Sequence, residues 1–258
     1  MEIIIKRDAE EASLEAAALF RRQLREKPES VIGLATGSTP LRFYELLVEM
    51  SRERVVDTSH VVTFNLDEYV GLHPSHPQSY AAYMRTHLFN HLAVAHSHIP
   101  DGMAADIPRH CAQYEEAIRA AGGIDWQLLG LGSDGHIGFN EPGSSLGSRT
   151  RLKTLTARTV ADNAAHFASP GEVPRHVITM GVGTILEARR CVVLAFGAGK
   201  AHAVAAMAEG PITALVPASV LQMHPACTLI VDEAAAGALQ RRDYYRWVYE
   251  NKPAWQRP

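Results

Sequence analysis

Short apolar runs alternate along the chain with stretches whose apolar residues recur at helical spacing. Leu14, Ala17, Ala18, Phe20 and Leu24 predict a helix over Ala9 to Glu26. VIGLA (31–35), HVVTFN (60–65), WQLLGL (126–131), HVITMG (176–181), CVVLAF (191–196) and CTLIVD (227–232) are short enough and apolar enough to be buried strands. Between them, Pro40 to Met50 reads as a helix with Thr39 as its cap. Further helices are expected over Ser79 to His91, Arg109 to Ala121, Lys200 to Glu209 and Gln240 to Asn251, with a short one between the fourth and fifth runs. Arg151 to Pro174 has a weaker period and ends in Gly and Pro; it is expected to be a lid or a peripheral excursion.

Strands that alternate with helices imply βαβ units. The expected fold is α/β: an open, mostly parallel, Rossmann-like sheet with helices on both faces. One domain over 1–258 is expected, with the lid at about 151–180. Sheets of this kind bind ligands beyond the carboxyl ends of their strands. The segments that follow four of the runs are TGSTP, LDE, GSDGHIGFNEPG and GAGK, and they hold most of the glycine and charge punctuation.

Gly37, Ser38 and Thr39 have the parts of an anion cradle: a backbone open to close approach, two hydroxyls, and a helix start behind them. The same residues would serve a plain helix cap. Gly130 to Gly135 matches G-x-G-x-x-G, but HIGFNEPG cannot open a regular helix, and Asp134 would repel a pyrophosphate. Asp134, His136 and Glu141 share one Gly- and Pro-rich turn, where a carboxylate can fix a histidine tautomer; solvated loop charges are the alternative. Asp67 and Glu68 stand at a strand end and could supply a carboxylate base. Lys200 is one of five lysines and follows a glycine at a helix start, a position suited to an anion.

Composition narrows the field. The chain is 47% apolar and 21% charged, which suits a packed globular protein. A net charge of −3 argues against a nucleic-acid partner. No apolar run approaches the ~18 residues of a membrane span, and MEIIIKRDAEEAS lacks the apolar stretch of a secretory signal. Cys111, Cys191 and Cys227 are odd in number and widely spaced, so free thiols in a cytoplasmic protein are expected. His73, His76, His96 and His98 cluster loosely; polar loop histidines are expected there, without a metal.

Taken together, GLATGSTP (33–40), VVTFNLDEYVGL (61–72), HPQSYAAYM (76–84), GLGSDGHIGFNEPGSSLGSRTRLKTL (130–155), ITMGVGTILEA (178–188) and PASVLQMHPACTLIVDEAA (217–235) resemble the glucosamine-6-phosphate deaminase (isomerase) family. The resemblance runs in order along nearly the whole chain. The related 6-phosphogluconolactonases share the GxDGH-like turn but neither FNEPGSS nor TFNLDEYVGL. The resemblance implies conversion of glucosamine 6-phosphate and water to fructose 6-phosphate and ammonia, with no metal or organic cofactor. It casts Asp67 as the base moving a proton from C2 to C1 and His136 as the group that opens the sugar ring. Asp134 and Glu141 would orient His136, while Gly37, Ser38, Thr39 and Lys200 would hold the phosphate. Ser144, Arg151, Lys153 and Thr154 look like the activator pocket of hexameric members that respond to N-acetylglucosamine 6-phosphate, although a surface basic strand would read the same way. One departure stands out: the lid arginine of the family falls on Ala165, beside His166. Either His166, Arg158 or another residue replaces it, or the preferred amino sugar differs. Two other classes compete. A lactonase would release no ammonia, and a sugar-phosphate sensor would need a DNA-binding segment that the stretch before Val31 does not provide.

Overall fold

A computed structural model of the chain describes residues 1–256 other than 165, 166 and 168. The first half runs β1 (Glu2–Lys6), α1 (Ala9–Glu26), β2 (Val31–Leu34), α2 (Leu41–Arg52), β3 (Val62–Asn65), β4 (Asp67–Tyr69), α3 (Tyr80–Met84), β5 (His96–His98), α4 (Ile107–Ala120) and β6 (Trp126–Gly130). The second half adds β7 (Arg151–Thr154), α5 (Ala157–Asn163), β8 (His176–Thr179), α6 (Val182–Leu186), β9 (Cys191–Ala195), α7 (Ala201–Ala208), β10 (Cys227–Asp232) and α8 (Arg242–Glu250).

The central sheet has seven parallel strands in the order β1-β10-β9-β6-β2-β3-β5. β2 and β9 are buried along their whole length, as a strand covered on both faces must be, which is why they read as unbroken apolar runs. Trp126 packs against Phe20 of α1 and Phe43 of α2. Phe64 lies one residue beyond Thr63, which shares the Ile32 register position with Trp126, so it points to the opposite face; there it meets Tyr114 of α4. Helices therefore cover both faces. α1 starts where the sequence marks it: the Asp8 carboxylate accepts from the Glu11 N–H at 2.9 Å, and Glu10 and Glu11 occupy the first turn.

A second sheet, β4-β8-β7, is antiparallel and three-stranded. HVIT thus pairs here and not in the main sheet. β7 alternates half-buried Arg151 and Lys153 with exposed Leu152 and Thr154, an edge strand without the apolar run that would announce it. Leu66 joins the two sheets: its N–H donates to the Leu34 carbonyl at 3.0 Å, and its carbonyl accepts from Met180 N–H at 2.7 Å.

Two expected helix features differ. Pro40, not Thr39, occupies the cap of α2, and no side chain caps that helix, so the Ser38 and Thr39 hydroxyls are not spent on it. The helix expected over Ser79 to His91 is an α-helix only to Met84; Arg85–Phe89 then widens into a π turn. None of the helices of the described residues is long and apolar enough to cross a membrane.

The buried Glu115 of α4 fastens the second sheet. It accepts from Thr150 N–H at 2.8 Å, from the Thr184 hydroxyl at 2.6 Å, and from the Arg149 guanidinium. Burial works against its ionisation, but these donors outweigh burial and hold the carboxyl below its ordinary value of 4.5. Its contribution is therefore present above pH 4.5 and lost as pH falls through the lowered value. Glu115→Gln should cost about 1–3 kcal/mol in urea titration at pH 7. The gap to wild type should close in acid; a gap that widens there would contradict the assignment.

Candidate active site

Strands β9, β6, β2 and β3 are consecutive in the sheet, and the sequence winds outward in opposite directions from β2 and β6. That reversal is the topological switch point, and the four polar segments expected to carry chemistry follow these four strands.

Asp67 starts β4 at the carboxyl end of β3, opposite Thr179 of β8. Its side chain is buried, and burial first, then the neighbouring Glu68 charge, pushes the carboxyl up to about 8. Glu68 is also buried but is used structurally. Its oxygens accept from the N–H groups of Tyr69 (2.8 Å), Tyr80 (2.9 Å) and Ala81 (2.8 Å), the last two at the start of α3. Tyr69 packs against Tyr80, Phe139 and Phe167, forming a small apolar cluster with Leu155 and Val177 near Asp67.

The segment after β6 folds into a tight turn. Gly132 N–H donates to the His136 carbonyl at 2.9 Å, and Phe139 N–H donates to the Thr179 hydroxyl at 3.1 Å. The His136 Nδ1 lies 2.6 Å from the Asp134 carboxylate, whose hydrogen bond to His136 holds it down at about 2. That carboxylate keeps a proton on Nδ1 and leaves Nε2 as the ring's acceptor. The ring lies against Gly132, where a methyl group would stand 2.3 Å from it, so only glycine fits. A methyl on Gly138 would lie 3.5 Å from Asp67 Oδ2, which places the histidine turn against the buried carboxylate.

Glu141, expected to orient His136, is hydrogen-bonded to the start of α5. It is buried, and its carboxylate accepts from the hydroxyls of Thr156 (2.9 Å) and Thr159 and from Thr156 N–H. It thus ties the histidine turn to the start of α5. Gly37 and Ser38 are exposed after β2, and Lys200 is half-buried after β9. Arg158, also on α5, reaches the Ser133 hydroxyl at 3.3 Å. Ala165 and His166 lie outside the described residues.

Of the expected activator residues, Arg151 and Lys153 share one face of β7, while Thr154 faces the other way. Arg151 donates to Asn140 Oδ1 at 2.8 Å, and the buried Ser144 hydroxyl has no hydrogen-bond partner among the described residues. Among the histidines singled out, His98 stacks on Phe64 at 4.4 Å and His76 on Phe167 at 6.4 Å. No group of three or more potential metal ligands occurs among the described residues.

Residues 6–230 match the family described as glucosamine-6-phosphate isomerases/6-phosphogluconolactonase. The chain belongs to that family. Within it, a glucosamine-6-phosphate deaminase from Arthrobacter sp. (strain FB24) is 52% identical over 99% of both chains. One from Streptomyces coelicolor is 51% identical over 99% of both. The solved structure of a monomeric glucosamine-6-phosphate deaminase is 40% identical, with a TM-score of 0.90, over 92% of this chain and all of that one. The 6-phosphogluconolactonase from Trypanosoma cruzi shares the fold, at 22% identity and a TM-score of 0.70 over 93% of this chain and 97% of that one.

Glu68, singled out with Asp67 as a carboxylate at a strand end, holds the start of α3. The parts played by Gly132, Gly138 and Thr159 leave no signal in the sequence. The two glycines act through close approaches that only a folded chain reveals.

Asp67 also leaves a signature in stability. Its folded value of about 8 lies above the ordinary 3.8, so the wild type loses stability as pH rises between these values. Asp67→Asn has no charge to desolvate. It should melt at a higher temperature than wild type at pH 8, with the two converging near pH 4. Equal melting at both pH values would show that the carboxyl is not desolvated.

Proposed function

We propose that the chain is a glucosamine-6-phosphate deaminase, an aldose–ketose isomerase that also releases ammonia from C2. The observation that carries the reading is the buried carboxylate of Asp67 set against the Asp134–His136 turn. Full-length identity of about half to named deaminases supports it.

The geometry supports the following roles. His136, with Nδ1 held by Asp134, offers Nε2 to move a proton at the ring oxygen as the pyranose opens. Asp67 then takes the C2 proton and returns it to C1. The electron pair of the C2–H bond forms the C1–C2 double bond of an enolamine as the C1–O π pair moves onto O1, which takes a proton; protonation at C1 then draws in the nitrogen lone pair and leaves a protonated C=N bond at C2. Water adds there and ammonia departs, giving the ketose; this is the sense in which the enzyme hydrolyses a C–N bond. A carboxyl poised near 8 is matched to accepting and returning one proton near neutrality, and its burial shields that proton from exchange. Glu141 acts as a positioning residue that seats α5 over the turn. Gly37, Ser38, Thr39 and Lys200 hold the phosphate. Within a single domain, the span 151–180 is read as the lid, and Arg158 on it reaches Ser133 in the histidine turn. Three buried free thiols suit a cytoplasmic protein.

Ammonia release coupled to a reporter enzyme tests this. Wild type should turn over glucosamine 6-phosphate, and Asp67→Asn should lose ~10²–10⁴-fold in turnover. Hydrolysis of 6-phosphogluconolactone without ammonia release would replace the reading with the lactonase one.

Ser144, Arg151, Lys153 and Thr154 are read as an activator pocket for N-acetylglucosamine 6-phosphate in a hexamer. The shared face of Arg151 and Lys153 and the unpartnered Ser144 hydroxyl support this. Sedimentation should give a hexamer with kinetics that respond to the activator. A monomer with hyperbolic, unresponsive kinetics, in keeping with the monomeric relative, would remove it.

A further inference from the structure

The loop after β2 is held from behind by two phenols. The buried Tyr44 of α2 donates to the Ala35 carbonyl at 2.5 Å, and Tyr83 of α3 donates to the Gly37 carbonyl at 2.6 Å. Among the described residues, the backbone N–H groups of Thr36, Gly37, Ser38 and Thr39 meet no protein acceptor. In a trans peptide the carbonyl and the following N–H point opposite ways. Pinning the Gly37 carbonyl to Tyr83 therefore turns the Ser38 N–H away from α3. Gly37 permits this at φ +110°, a conformation that other residues resist.

Tyr83 is itself held. Its ring rests on His87 of the π turn at 4.5 Å. The helix that carries it is fixed at its start by Glu68, the neighbour of Asp67 in β4. One continuous strut runs from the base strand through Glu68 and α3 to Tyr83, and from there to the anion loop.

We infer that Tyr83 is a positioning residue for phosphate: it orients the Gly37–Ser38 peptide so that its N–H faces the anion, and α3 sets the spacing between that N–H and the base. The inference rests on the sugar-phosphate reading above and deepens it. The substrate it selects is an amino sugar whose anionic group lies a fixed distance from the carbon that loses its proton. Tyr83 touches neither the sugar nor the reacting atoms.

Tyr83→Phe keeps the ring and its contact with His87 and removes only the hydroxyl. The Michaelis constant for glucosamine 6-phosphate and the dissociation constant of inorganic phosphate, the latter read by calorimetry, should both rise about three- to tenfold. Turnover should stay within about twofold, because uniform binding is what is lost. An unchanged phosphate affinity overturns the inference, as does a fall in turnover with the Michaelis constant intact. A wild type that binds no phosphate overturns it too. If the chain released no ammonia, the deaminase reading would fail on that assay, while the phosphate calorimetry would still decide the role of Tyr83.

Should the variant be less stable, a cycle with Gly37→Ala separates folding from positioning. Both changes act through the same peptide, so Tyr83→Phe should weaken phosphate binding less in the Gly37→Ala background than alone. Full additivity would sink the idea.

Discussion

A carboxylate taken out of water at the join of two sheets is the constraint around which this molecule is arranged. Leu66 spends its backbone on both sheets, and the next residue, Asp67, has nowhere to go but inward. Desolvating a charge is costly, and among the described residues no cation offsets it; the charge that acts on it is another acid, Glu68. A fold selected for stability alone would put an apolar residue there. The surroundings are built to tolerate the acid: Glu68 is satisfied by three backbone N–H groups, and the aromatic cluster of Tyr69, Tyr80 and Phe139 closes the side.

The three-stranded sheet is what lets a parallel sheet hold such a group. Parallel strands deliver their loops to one rim, but they do not fix them there. β4, β8 and β7 take the chain that leaves β3 and clamp it, and Glu115 fastens the end of that clamp to α4. Glu141 does the same for the histidine turn through Thr156 and Thr159. Both acids stand a step away from the chemistry, and each converts a loop into a fixed platform.

The parallel sheet was legible because β2 and β9 are covered on both faces and apolar throughout, and β6 is apolar but for Gln127. The second sheet was not. β4 has three residues, two of them acidic, and β7 alternates arginine, leucine, lysine and threonine. Their pairing is decided by partners far along the chain. Asp67, Asp134 and His136 could be singled out because charge at the end of a buried strand is conspicuous. The partners of Glu141 could not, since Thr156 and Thr159 lie fifteen and eighteen residues away. Thr39 misled for a definite reason: a hydroxyl before a helix serves a cap or a ligand with the same residue type. The π turn after Met84 leaves no mark, because apolar residues at Leu88 and Phe89 fit an ordinary helix equally well.

The three thiols, all buried, sit at different depths of this construction. Cys191 and Cys227 are register partners on neighbouring strands of the main sheet, and burial pushes the Cys227 thiol up to about 12. Cys111 lies on α4, the helix that anchors the second sheet through Glu115, and burial raises its thiol from its ordinary range. Burial disfavours both access to these thiols and their ionisation, so reaction with an electrophile is favoured by opening of the fold. The chain thus carries its own clocks of opening. Cys111 keeps time for α4 coming away from its neighbours, and the strand pair for dissolution of the whole sheet.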